Sequence, residues 1–261
     1  MTGKDISKIT LNLVVIYIIG GLLIAGVYAK TSPIIFQIQK KEKEQALQRM
    51  MPVHLIVNAP AEDEPRIKEL LPGAADVAQG SYMAEVDILA SQIDRLTDNL
   101  EDAGATTVAV KSDYEPVEAG KWEPWHKHAE YYEVKKEGQT AGYIVETYGK
   151  GYSSYINILV ATDPDFTVRK INILHQGETP GLGDEISTDP FMEQFRGKDL
   201  DHLVVIKGET EDKIQAITGA TISSRAVTNG VKDGVKMLME KYGAGAVNIG
   251  EAEEEGHAGR P

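Results

Sequence analysis

Between Lys8 and Lys30 run 21 uncharged residues, Ile9 to Ala29, dominated by Leu11, Leu13, Val14, Val15, Ile16, Ile18, Ile19, Leu22, Leu23 and Ile24. Coiled as a helix at 1.5 Å per residue they would extend about 31 Å, the thickness of a bilayer's hydrocarbon core. That match reads residues 1–30 as an N-terminal membrane anchor, with residues 9–29 against lipid. A cleaved signal peptide is the competing reading, because Val27 and Ala29 are small residues of the kind that precede a cleavage site. The apolar region is longer than a signal peptide needs, which favours a retained anchor. Lys4 and Lys8 lie before it, Lys30, Lys40, Lys41 and Lys43 after it, so the positive-inside rule gives no orientation.

The remainder divides by texture. Residues 31–52 are rich in Lys, Glu and Gln and predict a helical stalk ending at Pro52. Residues 53–120, with Ile67, Leu70, Leu71 and then Val86, Ile88, Leu89, Ile93, Leu96 and Leu100, predict a mostly helical lead-in or insertion, with one strand near Ala105 to Val110. From Tyr131 the period changes to two. Tyr131 to Lys136, a Glu137-Gly138 turn, Ala141 to Tyr148, Tyr155 to Ala161 and Thr167 to Leu174 predict consecutive antiparallel strands. A helical turn near Pro190 to Phe195, a strand at Leu203 to Ile206 and a long helix from Ile222 to about Lys241 complete an α+β domain over 121–245. Residues 246–261 predict a disordered acidic tail.

Composition limits the chemistry. With no cysteine, disulfides, thiolate metal sites and iron–sulfur ligation are excluded, so any redox chemistry must come from a bound cofactor. A formal charge of −13 argues against nucleic acid as partner. No catalytic triad, acid–base pair or metal-ligand set stands out. His126 and His128 lie near Trp122 and Trp125, but two histidines without a third ligand are more often packing or surface residues.

Three segments carry ligand-binding signals. Thr218-Gly219-Ala220-Thr221-Ile222-Ser223-Ser224 precedes the long helix, whose buried stripe is Val227, Val231, Val235, Leu238 and Met239, with Thr221 or Ser223 as its N-cap. The unpaired amides of a first helical turn suit a phosphate, and Gly219 and Ala220 leave room for one. His175-Gln176-Gly177-Glu178-Thr179-Pro180-Gly181-Leu182-Gly183 holds a turn whose glycines would let backbone approach a flat ligand. Gly149 to Ser154 joins two strands, with Gly151 and Tyr152 as neighbours of such a ligand. Each has a plain structural reading too: a helix cap, an interstrand turn and a hairpin loop. His175 reads equally as a strand-end residue, and Glu178 either as a turn cap or as an acceptor from the ligand ring.

Taken together, in the family's order and about forty residues apart, the Glu-Thr-Pro-Gly-Leu-Gly and Thr-Gly-Ala-Thr blocks resemble those of a flavoprotein family. That family comprises the FMN-binding subunits of two membrane complexes, the G-type subunit of Rnf and the C-type subunit of the sodium-pumping NADH:quinone reductase. Gly149 to Ser154 is similar to its glycine-rich loop, with Ser153 and Ser154 in place of glycines. The resemblance implies FMN joined through its phosphate to Thr221 by a dedicated flavin transferase. It also implies a cytoplasmic N-terminus, a single pass through a prokaryotic inner membrane and an extracytoplasmic flavin domain. The chain would relay electrons beside other membrane and redox subunits, without complete catalysis of its own, most like the ferredoxin- and NAD-linked Rnf protein. The quinone-reductase protein is the near alternative; a flavin-binding redox sensor, an interaction module or an anchored scaffold in which Thr221 merely caps a helix are alternatives of other classes.

Overall fold

A computed structural model describes residues 3–121 and 128–243. Trp122, Trp125, His126 and the acidic segment 246–261 lie outside the described residues. The chain forms two compact units, Met1–Gln45 and Ala46–Pro261.

The first unit is built on helix α1 (Gly3–Gln48), which continues past Lys30 and Pro33 without a break. Anchor and stalk are therefore one helix rather than two segments. Proline inside a helix costs a backbone hydrogen bond, here to the Ala29 carbonyl; just before it, the Thr31 hydroxyl donates to the Val27 carbonyl at 2.9 Å. Exposed apolar side chains continue beyond Lys30 through Ile34, Ile35, Phe36 and Ile38. Thr10–Gln48 is long and apolar enough to cross a membrane.

The second unit begins with a module of six elements: β1 (Val53–Asn58), α2 (Glu64–Leu70), β2 (Ala75–Ala78), β3 (Ser81–Val86), α3 (Ala90–Asp102) and β4 (Thr107–Lys111). Its strands form one antiparallel sheet in the order β2-β3-β1-β4. That is the split β-α-β, or ferredoxin-like, arrangement. The mostly helical expectation for 53–120 is thus corrected, since strands outnumber the two helices. The spacing of Ile67 with Leu71 and of Ile93 with Leu100 does belong to helices. Val53, Leu55 and Val57 alternate instead, and all of these residues meet in one core with Tyr82 and Ala84. The strand expected near Ala105 to Val110 is β4.

A second, five-stranded antiparallel sheet follows in the order β5-β6-β7-β8-β9, made of β5 (Tyr114–Lys121), β6 (His128–Lys136), β7 (Gln139–Lys150), β8 (Tyr155–Thr162) and β9 (Val168–His175). The β6–β7 turn is Glu137-Gly138, with φ of 54° and 79°, the paired positive angles that match strand twist. Strand β5 lies outside the expected set; Pro116 is tolerated there because β5 is an edge. After β9 come a 3-10 turn (Gly183–Ser187), α4 (Asp189–Glu193), the short parallel pair β10 (Val205–Ile206) and β11 (Ile214–Gln215), and α5 (Thr221–Tyr242).

Helix α5 lies on one face of this sheet. Val227, Val231, Val235 and Leu238 are fully buried, each worth about 1.5–3 kcal/mol in removed apolar surface. Met239, expected in the same stripe, is 40% exposed because its position falls off the buried arc. Helix and sheet come close: the Thr147 hydroxyl donates to the Gly230 carbonyl at 3.0 Å, and a Cβ on Gly149 would stand 2.2 Å from the Ala226 carbonyl oxygen. On the opposite face Ala46, Leu47, Met50 and Met51 cover Val134, Ile144, Leu159 and Ala161.

Candidate functional site

A cleft of about 410 Å³ opens at the N-terminus of α5, lined by Tyr152, Glu178, Thr179, Leu182, Gly183, Gly219, Ala220, Thr221, Ile222 and Ser223. Its volume lies in the range of small-molecule sites, roughly 300–1,000 Å³. Three segments distant in sequence build it: the β7–β8 loop, the turn after β9, and the start of α5.

The helix start differs from the expected one. Its N-cap is Ala220, which has no capping side chain, so Thr221 is the first helical residue and Ser223 the third. The Ser224 amide donates to the Ala220 carbonyl, and the Ser224 hydroxyl accepts from the Ile217 amide at 3.1 Å while donating to the Ala220 carbonyl at 3.0 Å. Ser224 thereby braces the approach to the helix from a fully buried position, away from the cleft. Among the described residues no group accepts from the amides of Thr221, Ile222 or Ser223. The three residues that line the cleft at the positive end of this 22-residue helix thus carry unpaired N–H groups.

Glu178 holds the parts together. Its carboxylate, 5% exposed, accepts from the amides of Tyr152 at 2.9 Å, Ser153 at 3.0 Å and Ser154 at 3.2 Å, and from the Ser223 hydroxyl at 2.5 Å. Burial pushes the carboxyl's pKa up, but the Ser223 hydroxyl and the three amides outweigh it and hold the group below the ordinary glutamate value. Glu178 thus caps the β7–β8 loop, in another part of the chain, rather than its own turn. Gly151 has no room for a side chain, since a Cβ there would meet Glu178 Oε1 at 2.5 Å.

The Thr179–Gly183 turn closes on the Thr179 carbonyl, which accepts from Gly183 at 2.9 Å and Leu182 at 3.2 Å. Thr179, Leu182 and Gly183 line the cleft; Pro180 and Gly181 are exposed beside it. The two glycines of the turn differ in their surroundings. Gly181 answers to its φ of +71° with open space around it, and the space at Gly183 is filled by Glu178 and the Ser223 hydroxyl. His175 ends β9 opposite Asn157, exposed and outside the cleft lining, and Thr218 lies ahead of it, likewise outside the lining. Ile222, 54% exposed, belongs to the lining and is not among the site residues read from the sequence. The signal was present: Ile222 falls outside the Val227-Val231-Val235-Leu238 stripe, an apolar residue with no core to face.

The lining suits a molecule with an anionic end and a flat apolar body. The unpaired amides of Thr221 to Ser223 would suit the anion; Tyr152, Leu182 and Ile222, all exposed, offer apolar surface; and the one lining carboxylate, Glu178, is already engaged. The fold and this cleft define an α+β ligand-binding domain behind a membrane-length helix, and the FMN-binding domain family matches residues 151–236. The chain is 42% identical over 122 residues to the G-type subunit of the proton-translocating ferredoxin:NAD(+) oxidoreductase complex of Clostridium ljungdahlii, covering 46% of this chain and 66% of that one. It is 32% identical over 243 residues to the C-type subunit of the Na(+)-translocating NADH-quinone reductase of Haemophilus ducreyi, covering 88% and 90%. A crystal structure of the corresponding protein from Parabacteroides distasonis aligns with a TM-score of 0.37 and 27% identity over 43% of this chain and 62% of that one. The chain belongs to this family of FMN-binding-domain subunits, shared by the ferredoxin:NAD oxidoreductases and the sodium-translocating NADH-quinone reductases. It spans less than two thirds of the length of the Clostridium relative.

Proposed function

We propose that the chain is a membrane-anchored electron-transfer subunit of an ion-translocating oxidoreductase, carrying FMN as a phosphoester on Thr221. The observation that carries this reading is the N-terminus of α5, where the hydroxyl of its first residue adjoins three unpaired amides at the cleft. A phosphate esterified to Thr221 Oγ1 would keep its remaining charge against those N–H groups, where the helix dipole favours it. FMN, when bound, supplies one- and two-electron chemistry; the chain's own residues supply position and surroundings. Tyr152, Leu182 and Ile222 would flank the ring system, while Glu178 and Ser223 hold the loop that carries Tyr152. Thr218, Gly219, Ala220, Pro180 and Gly181 act through the backbone they shape, and His175 and Ser224 from outside the cleft.

In this reading α1 is a retained single-pass anchor in a prokaryotic inner membrane, lipid-facing over residues 9–29, with the domain outside the cytoplasm. Other redox and membrane subunits would be its partners, and a flavin transferase would attach the FMN. The 42% identity to the Clostridium protein supports the ferredoxin- and NAD-linked complex. The quinone-reductase complex is the second reading, favoured by the 90% of the Haemophilus protein that aligns. Production of the chain with and without a flavin transferase, followed by in-gel flavin fluorescence after denaturation, tests the attachment. The wild-type band should fluoresce and Thr221→Ala should not.

A further inference from the structure

The module over 53–111 lies outside the FMN-binding match, yet it is fastened to the segment that forms one wall of the cleft. Asp87, in the link between β3 and α3, pairs with three cations of the second sheet and its helices: Lys170 at 2.9 Å, Arg169 at 2.9 Å and Arg196 at 3.3 Å. Lys170, 3% exposed, also donates to the carbonyls of Arg49 at 3.0 Å and Ile88 at 3.1 Å. Two residues after Asp87, Leu89 is buried in the core built by α5, β8 and α4, not in the module's own core. At the start of α3, the Ser91 hydroxyl donates to the carboxylate of Asp189 at 2.5 Å, and Arg95, one turn further on, pairs with it at 3.2 Å.

Asp189 opens α4 and Arg196 follows it, so these ties grip α4 at both ends. Helix α4 follows the 3-10 turn that starts at Gly183 after the single extended residue Thr188, and Gly183 is wedged between Glu178 and Ser223 at the cleft. Movement of α4 therefore reaches the cleft along a short stretch of chain, from Asp189 back to Gly183.

We infer that the 53–111 module is the support that, through the 3-10 turn and α4, positions Gly183 at the end of the Thr179–Gly183 wall of the cleft, and that Asp87 and Ser91 are the positioning residues through which it acts. The inference rests on the cleft being the flavin site. None of these residues reaches the cleft lining itself, so their action is on geometry. Asp87 replacement would strand the buried Lys170 ammonium and threaten folding. The informative variant is Ser91→Ala combined with Arg196→Gln, which cuts one tie at each end of α4 and leaves Asp87 paired with Arg169 and Lys170.

The test uses the full chain in detergent, made with and without FMN loading, and reads two quantities. Amide hydrogen exchange over residues 179–188 in the flavin-free chain should be several-fold faster in the double variant than in wild type. The visible circular dichroism of the flavin-loaded double variant should differ from wild type. Leu100→Ala, which opens a cavity in the module's own core at the opposite end of α3 from Ser91 and removes none of the ties, should lower thermal stability without moving either readout. Unchanged exchange and unchanged dichroism in the double variant would overturn the inference, as would an equal response to Leu100→Ala. A wild-type chain that takes up no flavin would end the flavin reading alone, and the exchange measurement would still decide this one.

Discussion

Glu178 shows how much of the site depends on single groups. Four donors converge on its carboxylate from residues 24 to 45 positions away in the chain, and together they hold it ionised despite burial. Its folded pKa lies below the unfolded one, so its stabilisation is complete above the unfolded value of about 4.3 and is lost as pH falls through the lower, folded value. Melting temperature measured against pH should therefore fall more steeply in acid for wild type than for Glu178→Gln, which has no proton to take up there. Parallel curves for the two proteins would remove the charge from the account. Thr221, by contrast, contributes little to the fold. It is half-buried and uncharged, and Thr221→Ala should melt within about 0.5 kcal/mol of wild type, as surface substitutions do. Equal far-UV dichroism and denaturation midpoint would check that loss of flavin from this variant is chemical rather than structural.

At the scale of elements, α5 is the scaffold on which the site is mounted, because its buried stripe fixes the direction in which its first turn points. Leu238, fully buried at the far end, should cost about 2–5 kcal/mol when cut to alanine, read as a lowered denaturation midpoint with the first turn's chemistry intact. The antiparallel strands from β6 to β9 and helix α5 were legible in the sequence, since period-two and period-3.6 patterns are local and Glu137-Gly138 announces its turn. The module was not. Its strand β2, Ala75–Ala78, is exposed at every position and so carries no alternation, while the helical spacing of Ile93 and Leu100 spreads its signal over neighbouring strands. The helix start is hard to place because Ser and Thr on both sides look like caps, and the cap is the alanine between them. The site's composition was largely visible as two short blocks. Its internal wiring through Glu178 required knowing which distant segments meet.

The whole molecule pairs a helix with exposed apolar sides, from Leu11 to Ile38, with a compact unit that begins at Ala46. Exposed apolar surface on this scale calls for lipid or another protein around it. Removing residues 1–45 should move the chain from the membrane pellet to the supernatant in ultracentrifugation, and a truncated chain that still sediments with membranes would deny α1 the anchoring role. The lack of cysteine leaves electron transfer to a bound group, and the cleft at α5 is suited to hold one by its phosphate. The central claim is that this phosphate is bonded to Thr221, and the most direct measurement is peptide mass spectrometry of the chain produced together with a flavin transferase. The account predicts FMN on the peptide spanning residues 214–225, with fragmentation assigning it to Thr221; flavin mapped to Thr218, Ser223 or Ser224, or a peptide bearing none, would contradict it.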